Sequence, residues 1–167
     1  PADEVETRQA IKALVDHPGP AYLRLSREAS PLLFGDDYRF ELGRTAVVRA
    51  GSDVTVFSTG IHTVRAYQAA ELLAGEGIDV HLVHVPTLKP LDEEGIVAAA
   101  RATGFVVTTE EHTIIGGLAS AIAFAMRGQA LPMEAVAVQD CFGQSALGYE
   151  QLLEHYGLTD AAVVKAV

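Results

Sequence analysis

The sequence predicts an α/β fold: three layers, with a mostly parallel sheet, one antiparallel edge strand, and helices on both faces. The first observation behind this is rhythm. From Ile61 onward, helical stretches alternate with short apolar runs, the pattern of crossover connections between parallel strands. The second is an early exception. Thr45–Arg49 and Asp53–Ser58 are apolar runs joined only by Ala50-Gly51-Ser52, which reads as a hairpin and supplies the antiparallel strand. The third is size and composition. The chain has 167 residues, 49% hydrophobic and 20% charged, enough for one full domain with a sizeable core and room for a piece of a second.

The elements follow in order. Asp3 and Glu6 have the capping-box spacing, and Val5, Ala10, Ile11, Leu14 and Val15 give the first helix its apolar face. Pro18-Gly19-Pro20 ends it, and Ala21–Leu25 reads as a short strand. Glu28–Gly43, with Pro31, Gly35, Asp36 and Asp37, has no firm periodicity and reads as a linker, placing a domain boundary near Phe40. Ile61–Ala74 is a helix and Ile78–Val85 a strand. Pro86 and Pro90 bracket a loop, and Asp92 caps a helix running to Ala102. Gly104–Thr109 is a strand, Gly116–Arg127 a helix, Ala135–Gln139 a strand and Tyr149–Tyr156 a helix. Thr159 opens a last helix.

The formal charge of −10 makes nucleic acid a poor partner, because an acidic surface repels phosphate backbones. Most of the acids read as solvated surface. One cysteine, Cys141, excludes an internal disulfide and a cysteine metal cluster, and fits a reducing cytoplasm. No charged segment followed by an apolar one suggests a signal peptide, and no apolar run is long enough to cross a bilayer. Pro1 stands where an initiator methionine would, which fits a fragment.

Four stretches invite a functional reading. EEHTIIGGLASAIA, Glu110–Ala123, carries Gly-Gly at a strand-to-helix turn, where helix N–H groups can hold an anion. It lacks both GxGxxG and the P-loop pattern, and Glu110 and Glu111 would repel a phosphate. The rows Gly116/Ser120/Phe124 and Gly117/Ala121/Ala125 favour close packing of another element, or a subunit, over a ligand. FGQSALG, Phe142–Gly148, approaches the nucleophile elbow, but Leu147 stands where its second glycine belongs, so a plain loop is the better reading. His81 and His84 lie three apart on a strand, on opposite faces, and cannot share a metal. Arg27 closes LRLSR at the carboxyl end of the strand read over Ala21–Leu25. It could grip a phosphate there, although exposed arginines are more often simply solvated.

Taken together, PADEVETRQAI, GPAYLRLSRE, GSDVTVFSTG, VPTLKPLD, EEHTIIGGLASAIA and FGQSALGYEQLLEHYGLT resemble, in order and spacing, the C-terminal portion of the transketolase family. The resemblance implies that residues 1–39 are the tail of a pyrimidine-binding domain with its linker, and that residues 40–167 are the transketolase C-terminal domain. It implies a thiamine diphosphate- and magnesium-dependent enzyme, cytoplasmic, that moves a two-carbon ketol unit between sugar phosphates. Its expected partner is a second copy of itself or a complementary chain, with no role for nucleic acid or membrane. The family's Gly-Asp-Gly metal motif is absent here, and its pyrimidine-activating glutamate would lie before Pro1. This stretch alone is therefore expected to bind no cofactor, hold no catalytic residue and show no turnover. One functional residue carries over: Arg27 matches the arginine that contacts the substrate phosphate, which reverses the solvated reading. His112, Gly116 and Gly117 match architectural positions. Two relatives share the C-terminal domain: 1-deoxyxylulose-5-phosphate synthase, which has Tyr-Pro-Arg-Gly where this chain has Leu25-Ser26-Arg27-Glu28, and the beta subunits of 2-oxo-acid dehydrogenases. A non-catalytic binding or assembly module is the reading from outside enzymology.

Overall fold

The computed structural model describes residues 1–167. Helix α1 spans Glu4–Val15. Strands β1 (Ala46–Arg49), β2 (Val54–Ser58), β3 (Val80–His84), β4 (Val106–Thr113) and β5 (Met133–Val138) alternate with helices α2 (His62–Gly75), α3 (Glu93–Thr103) and α4 (Leu118–Ala125). Helices α5 (Tyr149–Tyr156) and α6 (Asp160–Ala166) follow. The five strands form one sheet in the order β1-β3-β2-β4-β5, parallel except for β1.

Period-two alternation along the strands divides the core in two. Val54, Val56, Val80, Leu82 and Val107 face one side and pack on α2, α5 and α6 through Ala66, Ala69, Ala70, Leu73, Leu153 and Val163. Phe57, Val83, Val85 and Val106 face the other and pack on α3 and α4 through Ile96, Ala100, Leu118 and Ile122. Each fully buried Leu, Ile or Phe contributes about 1.5–3 kcal/mol relative to exposure. The three-layer expectation therefore holds, with one antiparallel edge strand.

That edge strand has a different neighbour from the one expected. β1 does not form a hairpin with β2; it pairs with β3, in register Ala46↔His84 and Val47↔Val83. Gly51 is the reason the short connection can do this. Ala50-Gly51-Ser52 crosses the start of β3 so closely that a Cβ on Gly51 would lie 2.3 Å from the Val80 carbonyl. β2 thereby takes a central place, buried along its whole length, between β3 and β4. Arg49 closes the crossing with bonds to Asp79 (2.9 Å) and the Val80 carbonyl (2.8 Å).

Two further expectations change. Ala21–Leu25 is not a strand: a strand needs a ladder partner, and this segment has none in the sheet. β4 runs on through Glu110–Thr113, which the sequence suggests is loop, because Thr113 pairs with Val138 after an irregularity in the register.

Asp92 shows how one residue anchors several elements. It caps α3 through Gly95 N (3.2 Å) and accepts from Thr45 N and Thr45 Oγ1 (both 2.9 Å), with Arg44 at 3.3 Å. Burial pushes its pKa up, but the Thr45 and Gly95 donors and Arg44 outweigh burial and hold it below the ordinary carboxylate value. Asp92→Ala should cost about 2–3 kcal/mol in urea unfolding, since it removes a cap and orphans the Thr45 amide. A loss below about 0.5 kcal/mol would show that neither bond contributes.

Candidate functional site

Connections leave β2 toward β3 on one side and β4 toward β5 on the other, so the sheet's topological switch point lies between the carboxyl ends of β2 and β4. A cavity of about 790 Å³ opens there. Its floor is made by Thr59–Ile61 after β2, Pro86–Pro90 after β3 and Glu110–His112 of β4; its roof is the segment from Pro20 to Ser26. Arg24 bridges roof and floor through the Glu111 carbonyl (3.4 Å), and Tyr149 donates to the Glu111 carboxylate (2.8 Å). Burial, and then that carboxylate, push the Tyr149 pKa up.

Arg27 follows Ser26, the last roof residue, and does not itself line the cavity. Its side chain is exposed and joins none of the chain's ion pairs or hydrogen bonds. The Gly-Gly turn lies at the cavity wall, and the chain fills that anion position itself. Glu110, 1% exposed, accepts from Leu118 N (2.6 Å) and Ala119 N (2.8 Å) at the start of α4. A carboxylate on a helix N-terminus satisfies its free N–H groups and its dipole. Gly117 is glycine because a Cβ there would sit 2.1 Å from Glu110 Oε2. The close approach anticipated at this glycine is thus to the chain's own side chain, while Ser120 and Phe124 face solvent.

The histidines separate as their spacing implies. His84 turns toward α2 and bonds Thr63 (2.7 Å), whereas His81 sits at the register of Thr55, whose hydroxyl bonds Ala99 of α3. Ser145 lies in the exposed loop before α5 and has no histidine or acid as a hydrogen-bond partner. No cluster of three or more His, Cys, Asp or Glu could hold a metal. The residues present do not fit a diphosphate–metal site, because the helix N-terminus beside the cavity is already taken by Glu110.

The sequence reading missed a buried polar chain at the other edge of the cavity floor. Ser58 donates to Thr63 (3.0 Å), Thr63 meets His84 Nδ1 (2.7 Å), and His84 Nε2 lies 2.9 Å from Glu6 Oε2. Glu6 also accepts from Tyr38 Oη (2.5 Å) and Ala2 N (2.6 Å). Its capping-box spacing is visible in sequence, but it does not bond back to the cap. Asp3 accepts from Glu6 N as a cap should, while the Glu6 carboxylate turns to His84.

Fold and site define a doubly wound α/β domain with a crevice of ligand size over the carboxyl ends of its strands. Residues 43–163 match the family model of the transketolase C-terminal domain, and the chain belongs to the transketolase family. It is 40% identical, over 99% of its length, to a 6-deoxy-6-sulfo-D-fructose transketolase subunit of Clostridium sp. (strain MSTE9), covering 52% of that protein. It is 37% identical over its whole length to 1-deoxy-D-xylulose-5-phosphate synthase of Pelotomaculum thermopropionicum, covering 27% of it. A solved structure described as a split-gene transketolase, an inactive β4 tetramer, superposes with a TM-score of 0.94 at 46% identity, over 99% of this chain and 55% of that one. The chain thus spans about half the length of the transketolase subunits it matches.

Proposed function

We propose that this chain is the C-terminal part of a thiamine diphosphate-dependent transketolase that moves a two-carbon ketol unit between sugar phosphates. The observation that carries this is the end-to-end likeness to transketolase subunits at 40% identity, together with the 0.94 TM-score to a split-gene transketolase. In this reading residues 1–39 are the tail and linker of the pyrimidine-binding domain, and residues 40–167 are the C-terminal domain. Thiamine diphosphate and magnesium are held by parts of the enzyme outside these residues, and this stretch alone is inactive. Its partner is a second copy or a complementary chain. That fits the inactivity described for the tetramer of the split-gene relative, and the exposure of Phe142 (96%) in the loop before α5. The cytoplasm fits a single, exposed, unpaired cysteine.

Arg27 is the residue proposed to contact the substrate phosphate. Its support is position: a guanidinium without an internal partner, one residue beyond the roof of the cavity. Arg27→Ala in the intact enzyme should raise KM for phosphorylated sugars by roughly tenfold or more, the loss of a charge-assisted contact of about 1.5–3 kcal/mol. An unchanged KM would remove Arg27 from the site.

The deciding experiment is reconstitution. The complete protein, with a candidate partner chain where it has one, is assayed for ketol transfer from a ketose phosphate to an aldose phosphate, with and without thiamine diphosphate and magnesium. Cofactor-dependent transfer establishes the reading. Folded protein that binds cofactor but gives no transfer moves it to the deoxyxylulose-phosphate synthase, a reading kept by the 37% relative. Failure to bind cofactor at all favours a non-catalytic module.

A further inference from the structure

Residues 28–43, read as a linker, form a strap fixed by one face of a helix. Asp3, Glu6 and Gln9 recur every third residue at the start of α1, and each holds the strap. Leu33 N and Phe34 N donate to Asp3 Oδ2 (2.7 and 2.8 Å). Tyr38 Oη donates to Glu6 Oε1 (2.5 Å). Gln9 accepts from Phe40 N and donates to the Tyr38 carbonyl (both 2.9 Å). Ser30 Oγ adds a bond to the Ala2 carbonyl (3.0 Å), and Phe34 stacks on Tyr38 at 3.8 Å.

Of Asp3, Glu6 and Gln9 only Glu6 also reaches the sheet. It is fully buried, as is His84 at the end of β3, and their bond spans 78 positions of sequence. The bonds that end on Glu6 take their direction from it. Glu6 is an acceptor-only carboxylate, so His84 Nε2–H, Tyr38 O–H and Ala2 N–H all point at it. Thr63 accepts from Ser58 and meets His84 Nδ1. Three of the donors, from His84, Tyr38 and Ala2, end on one carboxylate, so loss of that acceptor orphans three groups at once.

We propose that Glu6 and His84 are positioning residues: together they lock the α1–strap unit, and the Arg27 segment lying between its two parts, onto the carboxyl end of β3. The lock fixes how the segment upstream of the strap meets the C-terminal domain. In the transketolase reading, on which only this second half rests, it holds the Arg27 guanidinium at the distance the substrate phosphate requires. Neither Glu6 nor His84 touches substrate.

The test uses the complete protein, with its partner chain where it has one, carrying Glu6→Gln or, as a milder change, Tyr38→Phe. A glutamine must turn an amide N–H toward donors that expect an acceptor. Hydrogen exchange at the Leu33, Phe34 and Phe40 amides should accelerate roughly tenfold or more in Glu6→Gln and about threefold in Tyr38→Phe, with β2, β3 and β4 unchanged. KM for the phosphorylated substrate should rise about fivefold or more while kcat stays within about twofold. Unchanged exchange in both variants overturns the lock. So does uniform acceleration across all strands, which would make Glu6 simply part of the core. Faster strap exchange with an unchanged KM overturns its positioning role. A wild-type protein that shows no ketol transfer, yet keeps its strap amides protected, refutes the transketolase reading and leaves the lock standing.

Discussion

Gly117→Ala should destabilise the domain by about 3 kcal/mol or more in urea unfolding, a large effect for a single added methyl group. The backbone is not the cause, because Gly117 has φ −91°, ψ −156°, an extended conformation open to any residue. Space is the cause. The new Cβ would lie 2.1 Å from Glu110 Oε2 and 2.7 Å from both Glu110 Cδ and the Thr113 carbonyl. The carboxylate cannot retreat without releasing Leu118 N and Ala119 N, and it is buried, so retreat leaves a charge and two amides unpaired. Gly116→Ala is the control. Nothing lies within 4 Å of its Cβ position, but its φ of +79° is left-handed, so about 1 kcal/mol of strain is expected. Glu110→Ala/Gly117→Ala should be less damaging than the sum of its single changes, since the first makes room for the second. If Gly117→Ala stays within about 0.5 kcal/mol of wild type, or the double variant is additive, the carboxylate cradle is not what fixes this glycine.

Glu110 and Gly117 also show where sequence reasoning stops. The helices were legible because their signals are local. Asp3, Asp92 and Thr159 each cap the helix that follows, and all three do so through a side-chain oxygen on the backbone. The α/β class was legible from the alternation of elements. Strand order was not. A three-residue connection looks like a hairpin, and only a steric fact on another strand, the Val80 backbone beneath Gly51, makes it a crossing instead. The buried acids were not legible either. Glu6 read as the capping-box partner of Asp3 and Glu110 as a charge that would repel a phosphate, because burial of a carboxylate depends on donors that folding brings to it. For Glu6 those donors come from Ala2, Tyr38 and His84. Gly117 was the one clue to Glu110: a glycine that needs no unusual φ usually needs room. For Arg27 geometry and resemblance contribute separately, the first giving a guanidinium with no internal partner and the second a phosphate for it to meet.

His62 should make the fold sensitive to mild acid. It is fully buried at the first turn of α2, with Nδ1 2.8 Å from Thr109 Oγ1 and Nε2 facing the Leu158 carbonyl outside hydrogen-bonding geometry. Burial lowers its pKa to about 4; the Leu158 carbonyl opposes this and, to a lesser extent, the nearby Arg65 charge reinforces it. A helix N-terminus is also a poor place for a cation. The unfolded chain takes up a proton near pH 6.5, and the folded chain refuses it until about pH 4. Between those values the unfolded state binds more protons, so stability is whole above about pH 6.5 and falls as the pH drops, by up to about 3 kcal/mol. His81 shifts the same way, lowered chiefly by burial, and adds to the slope. Glu6 and Asp92, both held below their ordinary carboxylate values, contribute stability that is lost only at still lower pH. His62→Gln isolates the effect. At pH 7 the variant should be the less stable protein, and by pH 4 the gap should shrink by about 3 kcal/mol, because glutamine has no proton to refuse. Urea unfolding at both pH values measures it, with the His62 ring resonance staying neutral at pH 5 as an independent reading. Parallel pH profiles for wild type and variant would mean that His62 takes its proton in the folded state, and that acid sensitivity comes from the carboxylates instead.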